Sequence, residues 1–307
     1  VAKVMPRSRL LGIAIGGLLG LLFPMCECGI IPVMRRLLRK GVPLSSCVAY
    51  LLAGPIINVV VMLSTYVAFL GMDADAAGQA SHQFGGTLMV GLRMGFGYLV
   101  ALGTALIVEW QYRKHGTALL APAAVADTKA ADLASAQQQV QETTAGGTAI
   151  AAPPVQAMRP SVMQRLGNIS QVALHDFIDI TVYLVLGAIL AAVIRLAFTH
   201  QQMESWSQQN APLAILTMMG LAIIMCLCSE ADAFVAASFK PFIPAAKLGF
   251  LVLGPMLDFK LYMMYTRVFR PRLIWTIIIS VAVQVFIYSL LVHYAWNTYI
   301  QYKFGTP

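Results

Sequence analysis

The chain has 307 residues, of which 59% are hydrophobic and 11% charged, and its mean hydropathy is +0.74. A soluble domain carries about 25% charged residues, so the composition excludes an ordinary soluble protein and specifies an all-α, polytopic transmembrane bundle whose main partner is the lipid bilayer. The net charge of +8 does not indicate nucleic acid, because basic residues of membrane proteins collect in cytoplasmic loops and report orientation.

Residues 1–9 are basic, with Lys3, Arg7 and Arg9. Residues 10–24 are apolar but shorter than the roughly 20 residues that span a bilayer, as in a re-entrant or core segment. Pro24 and Gly29 bracket a Cys-x-Cys tip and are expected to break the helix. A helical pattern resumes over 30–38 and meets a basic run, Arg35, Arg36, Arg39 and Lys40. Residues 44–70 form a long span with Gly54-Pro55 at mid-depth, expected to unwind or kink it. Residues 71–85 contain Asp73 and Asp75 but no Lys or Arg, and 86–110 form a span with one internal charge, Arg93.

Residues 111–160 are rich in Ala, Gln and Thr and cannot bury enough apolar surface to offset ordering entropy. They read as a linker, with a weak helix near 128–142 and an amphipathic stretch at 161–174. Residues 175–198 are a span opening with His175, Asp176 and Asp179, which are placed as interfacial helix caps. Residues 212–240 are a second broken segment, 244–268 a second long span with Gly254-Pro255 inside it, and 273–297 a last span. The organisation expected is a first transmembrane repeat at 1–110, a flexible cytoplasmic linker at 111–165 and a second repeat at 166–300.

The repeat rests on a fixed offset of 200 positions. Gly20, Leu21, Met25, Cys26, Cys28, Lys40, Leu51, Gly54 and Pro55 fall on Gly220, Leu221, Met225, Cys226, Cys228, Lys240, Leu251, Gly254 and Pro255, while Asn58 falls on Asp258. Placing the basic segments 1–9, 35–40, 111–165 and 267–272 in the cytoplasm sends span 44–70 outward and 244–268 inward. The repeats are then inverted and both Cys-x-Cys segments are re-entrant, with Lys240 and Lys247 on the outside against the rule; the alternative, a full crossing at each segment with parallel repeats, would put the basic turn 267–272 outside, so inversion is preferred.

Inverted repeats with broken helices hold substrate where they meet, near the midplane. Both tips carry thiols, soft ligands for Cu(I), zinc and likewise trivalent arsenic. Cys26, Cys28, Cys226 and Cys228 are therefore candidate substrate-binding groups. Gly54, Pro55, Gly254, Pro255 and Asn58 are candidates at the helix breaks. A single Cys in a membrane helix is usually just a small buried side chain; repetition of Cys-x-Cys at two breaks favours function. Glu27, Glu230, Asp232 and Asp258 are ionisable groups at membrane depth, which are functional candidates by default, here as proton-coupling groups. The competing structural reading pairs Asp258 with Lys260 or Arg93. The Met runs Met218-Met219 and Met263-Met264 read as packing. No metal site or cofactor is called for.

The block Pro-x-Cys-x-Cys-Gly-x-x-Pro at 24–32, the run Arg35-Arg36-x-x-Arg39-Lys40-Gly41-Val42-Pro43, the stretch Leu52-Ala53-Gly54-Pro55-Ile56-Ile57-Asn58 and the segment Cys228-Ser229-Glu230-Ala231-Asp232-Ala233-Phe234 resemble the predicted permeases related to the ArsP organoarsenical exporters, the YraQ-like permeases. The resemblance covers nearly all of the chain outside the linker. It implies a multi-pass inner-membrane transporter of a small molecule; one branch exports trivalent organoarsenicals, a thiol use that fits Cys26, Cys28 and Cys228. The residues leave two further readings, a membrane thiol–disulfide redox protein and a channel. No Gly-x-x-x-x-Gly-Lys-Ser/Thr phosphate loop occurs, and an enzyme is not expected. A homo-oligomer is compatible with all readings.

Subtracting the offset from 175–198 puts the counterpart of that span ahead of Val1. The expectation is an apolar segment of helix length in the upstream coding sequence. Reading that sequence checks it, and a polar segment there would overturn it.

Overall fold

The computed structural model describes residues 9–23, 25–74, 85–115, 210–239, 242–266 and 268–304, with isolated positions at 181–182, 185 and 189. The linker, the amphipathic stretch at 161–174, the residues His175, Asp176 and Asp179, and nearly all of the span 175–198 lie outside these residues. Among the described residues the regular structure is helical. The helices are α1 (Arg9–Leu22), α2 (Glu27–Arg39), α3 (Leu44–Ala53), α4 (Val59–Ala74), α5 (Gly86–His115), α6 (Ala211–Met225), α7 (Ala231–Ser238), α8 (Pro244–Leu253), α9 (Phe259–Tyr265) and α10 (Pro271–Phe304). Two of them, α5 and α10, are long and apolar enough to cross a bilayer on their own, over Gly86–Lys114 and Pro271–Thr298.

The offset of 200 seen in the sequence reappears as local structure. Helices α3 and α8 are each ten residues long and each ends at the glycine of a Gly-Pro pair. Gly54 N–H donates to Tyr50 O at 2.9 Å and Gly254 N–H to Phe250 O at 3.0 Å. Ala53 O then accepts from Ile56 N (3.0 Å) and Ile57 N (2.7 Å), while Leu253 O accepts from Met256 N (3.0 Å) and Leu257 N (2.8 Å). The cause is the proline, which brings no N–H for the carbonyl four residues earlier and cannot continue the ladder. Helix restarts at Val59 and Phe259, each preceded by a capping side chain. Asn58 Oδ1 accepts from Val60 N at 2.9 Å, and Asp258 Oδ1 from Leu261 N at 2.5 Å, satisfying donors that a helix start leaves open. The Gly-Pro spans are thus interrupted helices.

Packing repeats too. Helix α1 lies on α3 and α6 on α8; α3 lies on α5 and α8 on α10; and α5 packs against α10 to join the halves. At that joint Thr104, Ser280 and Gln284 form a polar cluster. The two hydroxyls are 3.0 Å apart, and Gln284 Nε2 donates to Thr104 (3.1 Å) and Ser280 (2.7 Å). Side-chain hydrogen bonds of this kind fasten helices where water offers no competing partner. The core is continuous through both halves and includes Met218 and Met264, which pack as expected.

One expectation is corrected. Gly29 does not break the chain, because α2 already begins at Glu27 and runs through Gly29 and Pro32. The break precedes it, with Cys26 extended (φ −70°, ψ 166°) as the last non-helical residue before α2. Lys247 is 1% exposed within α8, so its charge carries little weight in assigning orientation.

The α1–α3 contact depends on small residues spaced four apart, Gly12, Gly16 and Gly20, which share one helix face. A Cβ on Gly16 would come 2.5 Å from the Ser46 carbonyl oxygen, and one on Gly20 would come 2.6 Å from Gly54 Cα. The backbones therefore touch at the first helix break. Gly20→Ala is expected to lower stability by about 1–3 kcal/mol through overpacking, whereas Gly91→Ala, which meets nothing within 4 Å, leaves it unchanged. Thermal unfolding of the purified variants in detergent checks the difference.

Candidate functional site

The second tip occupies residues 226–230, between α6 and α7. Helix α6 ends as Cys226 turns into the left-handed region (φ 47°, ψ 43°), and the carbonyl of Cys228 accepts from Ala231 N (2.9 Å) and Asp232 N (3.0 Å) to start α7. Cys226 Sγ donates back to Ile223 O at 3.3 Å. Cys228 is exposed, and its thiol donates to Glu230 Oε2 at 2.9 Å, with Glu27 Oε2 a further 3.9 Å contact.

The first-half groups close on this tip from the other side. Glu27, the first residue of α2, is 1% exposed and accepts from Ser229 N at 3.0 Å. Arg93, on α5, is also 1% exposed; it donates to Ser229 O at 3.0 Å and to Thr65 Oγ1 on α4 at 2.7 Å. Both backbone groups of Ser229 are therefore held by charged side chains from the opposite half of the chain. Such charge-assisted bonds are stronger than neutral ones.

Around this clasp lie two more buried acids. Asp232 sits on the first turn of α7 against the backbone of the second break; a Cβ on Gly254 would come 2.7 Å from its Oδ2. Asp258 caps α9 and lies 3.4 Å from Lys260 Nζ. The Asp258–Lys260 pair is the structural partnership the sequence allowed. In the first half the slot against Gly54 is filled by the side chain of Ile30.

The sequence-named residues fall into three groups. Glu27, Cys228, Glu230, Asp232 and Asp258 gather at this junction, with Cys226 and the Gly254-Pro255 break beside them. Asn58 is spent on capping α4, and Gly54 and Pro55 are buried where α1 crosses α3. Cys26 is exposed at the start of α2, and the side chain of Cys28 lies outside the described atoms. Four contributors were not singled out as site residues from sequence: Arg93, Thr65, Ser229 and Lys260. A lone arginine inside an otherwise apolar span was the signal that could have found the first.

Interrupted helices around a buried, charged junction, beside two helices long and apolar enough to cross a bilayer, are the architecture of a helical membrane protein. The chain belongs to the predicted-permease family of the ArsP type, whose profile matches residues 1–294. It is similar to the UPF0718 protein YcgR of Bacillus subtilis strain 168, with 33% identity over 293 residues, covering 95% of this chain and 85% of the relative. It is also 28% identical over 294 residues to a protein of Streptococcus mutans named a putative two-component membrane permease complex subunit, covering 95% of this chain and 83% of that one. No solved structure matches.

Removing the guanidinium should be costly, because it leaves buried acids and the Ser229 carbonyl uncompensated. Arg93→Met is expected to destabilise the protein by about 3–5 kcal/mol, and adding Asp232→Asn should recover part of that loss. Unfolding of both variants in detergent checks the order: Arg93→Met alone should be the less stable.

Proposed function

We propose that the protein is a secondary transporter of the inner membrane that exports a small, soft, thiol-reactive solute, with a trivalent organoarsenical as the representative substrate. The observation that supports this most is the Cys228 thiol donating to Glu230 at 2.9 Å. A thiol that bonds a soft centre does so as thiolate, so it must release its proton, and here a carboxylate stands ready to receive it. Cys26 and Cys228 are exposed and accessible to solute; Cys28 and Cys226 flank them on the same two segments.

In this reading the two halves are inverted repeats and the breaks at 23–26 and 226–230 are re-entrant tips. Glu27, Glu230, Asp232 and Asp258 are the coupling groups, since solute movement that alters the clasp on Ser229 alters the charge balance around them. Residues 1–110 and 166–300 are the two transport halves, joined by a cytoplasmic linker. The name of the Streptococcus mutans relative makes a second subunit a compatible partner.

The test is accumulation of a trivalent organoarsenical in everted membrane vesicles containing the protein. Accumulation is expected with the wild type and to fall at least tenfold in Cys26→Ser and Cys228→Ser. Wild-type vesicles that accumulate none would remove this substrate class.

A further inference from the structure

Among the described residues, the buried charges at the junction do not balance. Three carboxylates there are nine-tenths or more buried: Glu27, Asp232 and Asp258. Two cations are equally buried, Arg93 and Lys260. Glu230 is only half-buried and is engaged by the Cys228 thiol. Lys247, the other buried cation, lies seven residues before Gly254, about 10 Å away along α8. The groups that bear electrostatically on Asp232 are Arg93 from α5, Glu27 from α2, and Asp258 and Lys260 from the second break; Glu230 acts on Arg93. Burying an uncompensated charge costs several kcal/mol, so the junction calls for one further positive charge.

Unsatisfied polar atoms point to where that charge goes. Asp232 Oδ2 and Ser229 Oγ are fully buried and have no hydrogen-bond partner among the described residues. Both belong to the first turn of the tip–α7 segment, and Asp232 Oδ2 faces the broken turn at Gly254. In that turn Pro255 has no N–H to offer the carbonyl of Leu251, so a further oxygen there lacks its helical donor. A carboxylate, a hydroxyl and a carbonyl are the hard oxygen ligands that a small cation takes, and unwound carbonyls at broken helices are where transporters hold sodium or protons. Among the described residues no group of three or more His, Cys, Asp and Glu side chains is placed to hold a metal, which argues against a divalent ion.

We propose that the junction is a monovalent cation site, built on Asp232, Ser229 and the backbone of the Gly254-Pro255 break, and that its ion is sodium. A proton on Asp232 would supply the missing charge but leave the Ser229 hydroxyl and the freed carbonyl without a shared partner; sodium serves all three. The inference rests on the transporter reading only for its link to transport, since binding is a property of the purified protein.

The experiment is thermal unfolding of the purified full chain in detergent at constant ionic strength, with choline chloride replaced stepwise by sodium chloride. The expected result is a saturable rise in Tm of about 5 °C, absent with potassium, abolished in Asp232→Asn and needing roughly tenfold more sodium in Ser229→Ala. The wild-type titration alone can overturn the proposal. A Tm indifferent to the cation, an equal rise with potassium, or a Tm that responds to pH and not to sodium would each do so, the last assigning the charge to a proton. An undiminished sodium effect in Asp232→Asn would also overturn it. If the organoarsenical assay fails while sodium still binds, the substrate is wrong and the ion site stands. If sodium fails while thiol-dependent accumulation persists, the transporter reading stands without this ion.

Discussion

The guanidinium of Arg93 is the constraint on which the arrangement depends. It is buried in a helix long and apolar enough to cross a bilayer, where an uncompensated charge is among the most expensive features a protein can carry. Its compensation comes from both halves: the Ser229 carbonyl and the field of Asp232 from the second, Thr65 and the charge of Glu27 from the first. Helix α5 and the second tip therefore cannot separate without exposing that cost. Glu27 adds a reciprocal hold on the Ser229 amide, so the tip is gripped at donor and acceptor alike. The α5–α10 polar cluster fastens the halves elsewhere without charge; among the described residues the charged bonds between halves are at this tip.

The repeat supplies the scaffold, and departures from it supply the chemistry. Both halves keep the ten-residue helix, the Gly-Pro break and the capping amide or carboxylate. They differ where the charge lies. Ile30, Pro32, Asn58 and Val60 in the first half stand opposite Glu230, Asp232, Asp258 and Lys260 in the second. The same slot beside the break glycine is apolar in one half and a carboxylate in the other. The second Gly-Pro break thus lies beside a polar centre and the first beside an apolar side chain, and the first break seats α1 through Gly20.

Much of this was legible in the sequence, and the limits follow from distance along the chain. The helix breaks at Gly54-Pro55 and Gly254-Pro255 are local consequences of a missing N–H, so reading them needed no tertiary knowledge. The cysteines and carboxylates were visible as unusual residues in apolar surroundings. What was not legible is pairing. Arg93 reaches Ser229 across 136 positions and Glu27 reaches it across 202, and neither bond has a spacing rule. Ser229 is used through its backbone, which no residue type advertises. Gly29 was misjudged because a glycine after a break and a glycine making a break look alike, and here Cys26 and Glu27 decide where α2 begins. The burial of Lys247 was equally invisible, because a long side chain can be enclosed by its own bundle.

The thiol and the buried carboxylate of the second half share one short piece of backbone. Cys228, Ser229 and Asp232 lie within five residues on the tip and the first turn of α7, and the Cys228 carbonyl itself starts that turn by accepting from the Asp232 amide. If the proposed solute binds the Cys228 thiol, it displaces that thiol from Glu230, and a shift of the tip strains the two bonds that Arg93 and Glu27 make to Ser229. Loosening them changes the compensation of Asp232 in the same motion. Events at the thiol and at the carboxylate are then mechanically linked through three residues of chain, without a long pathway between them. Charge-assisted bonds from both halves to one peptide unit hold it in a defined geometry, so breaking them is the discrete change that the proposed transport cycle would use.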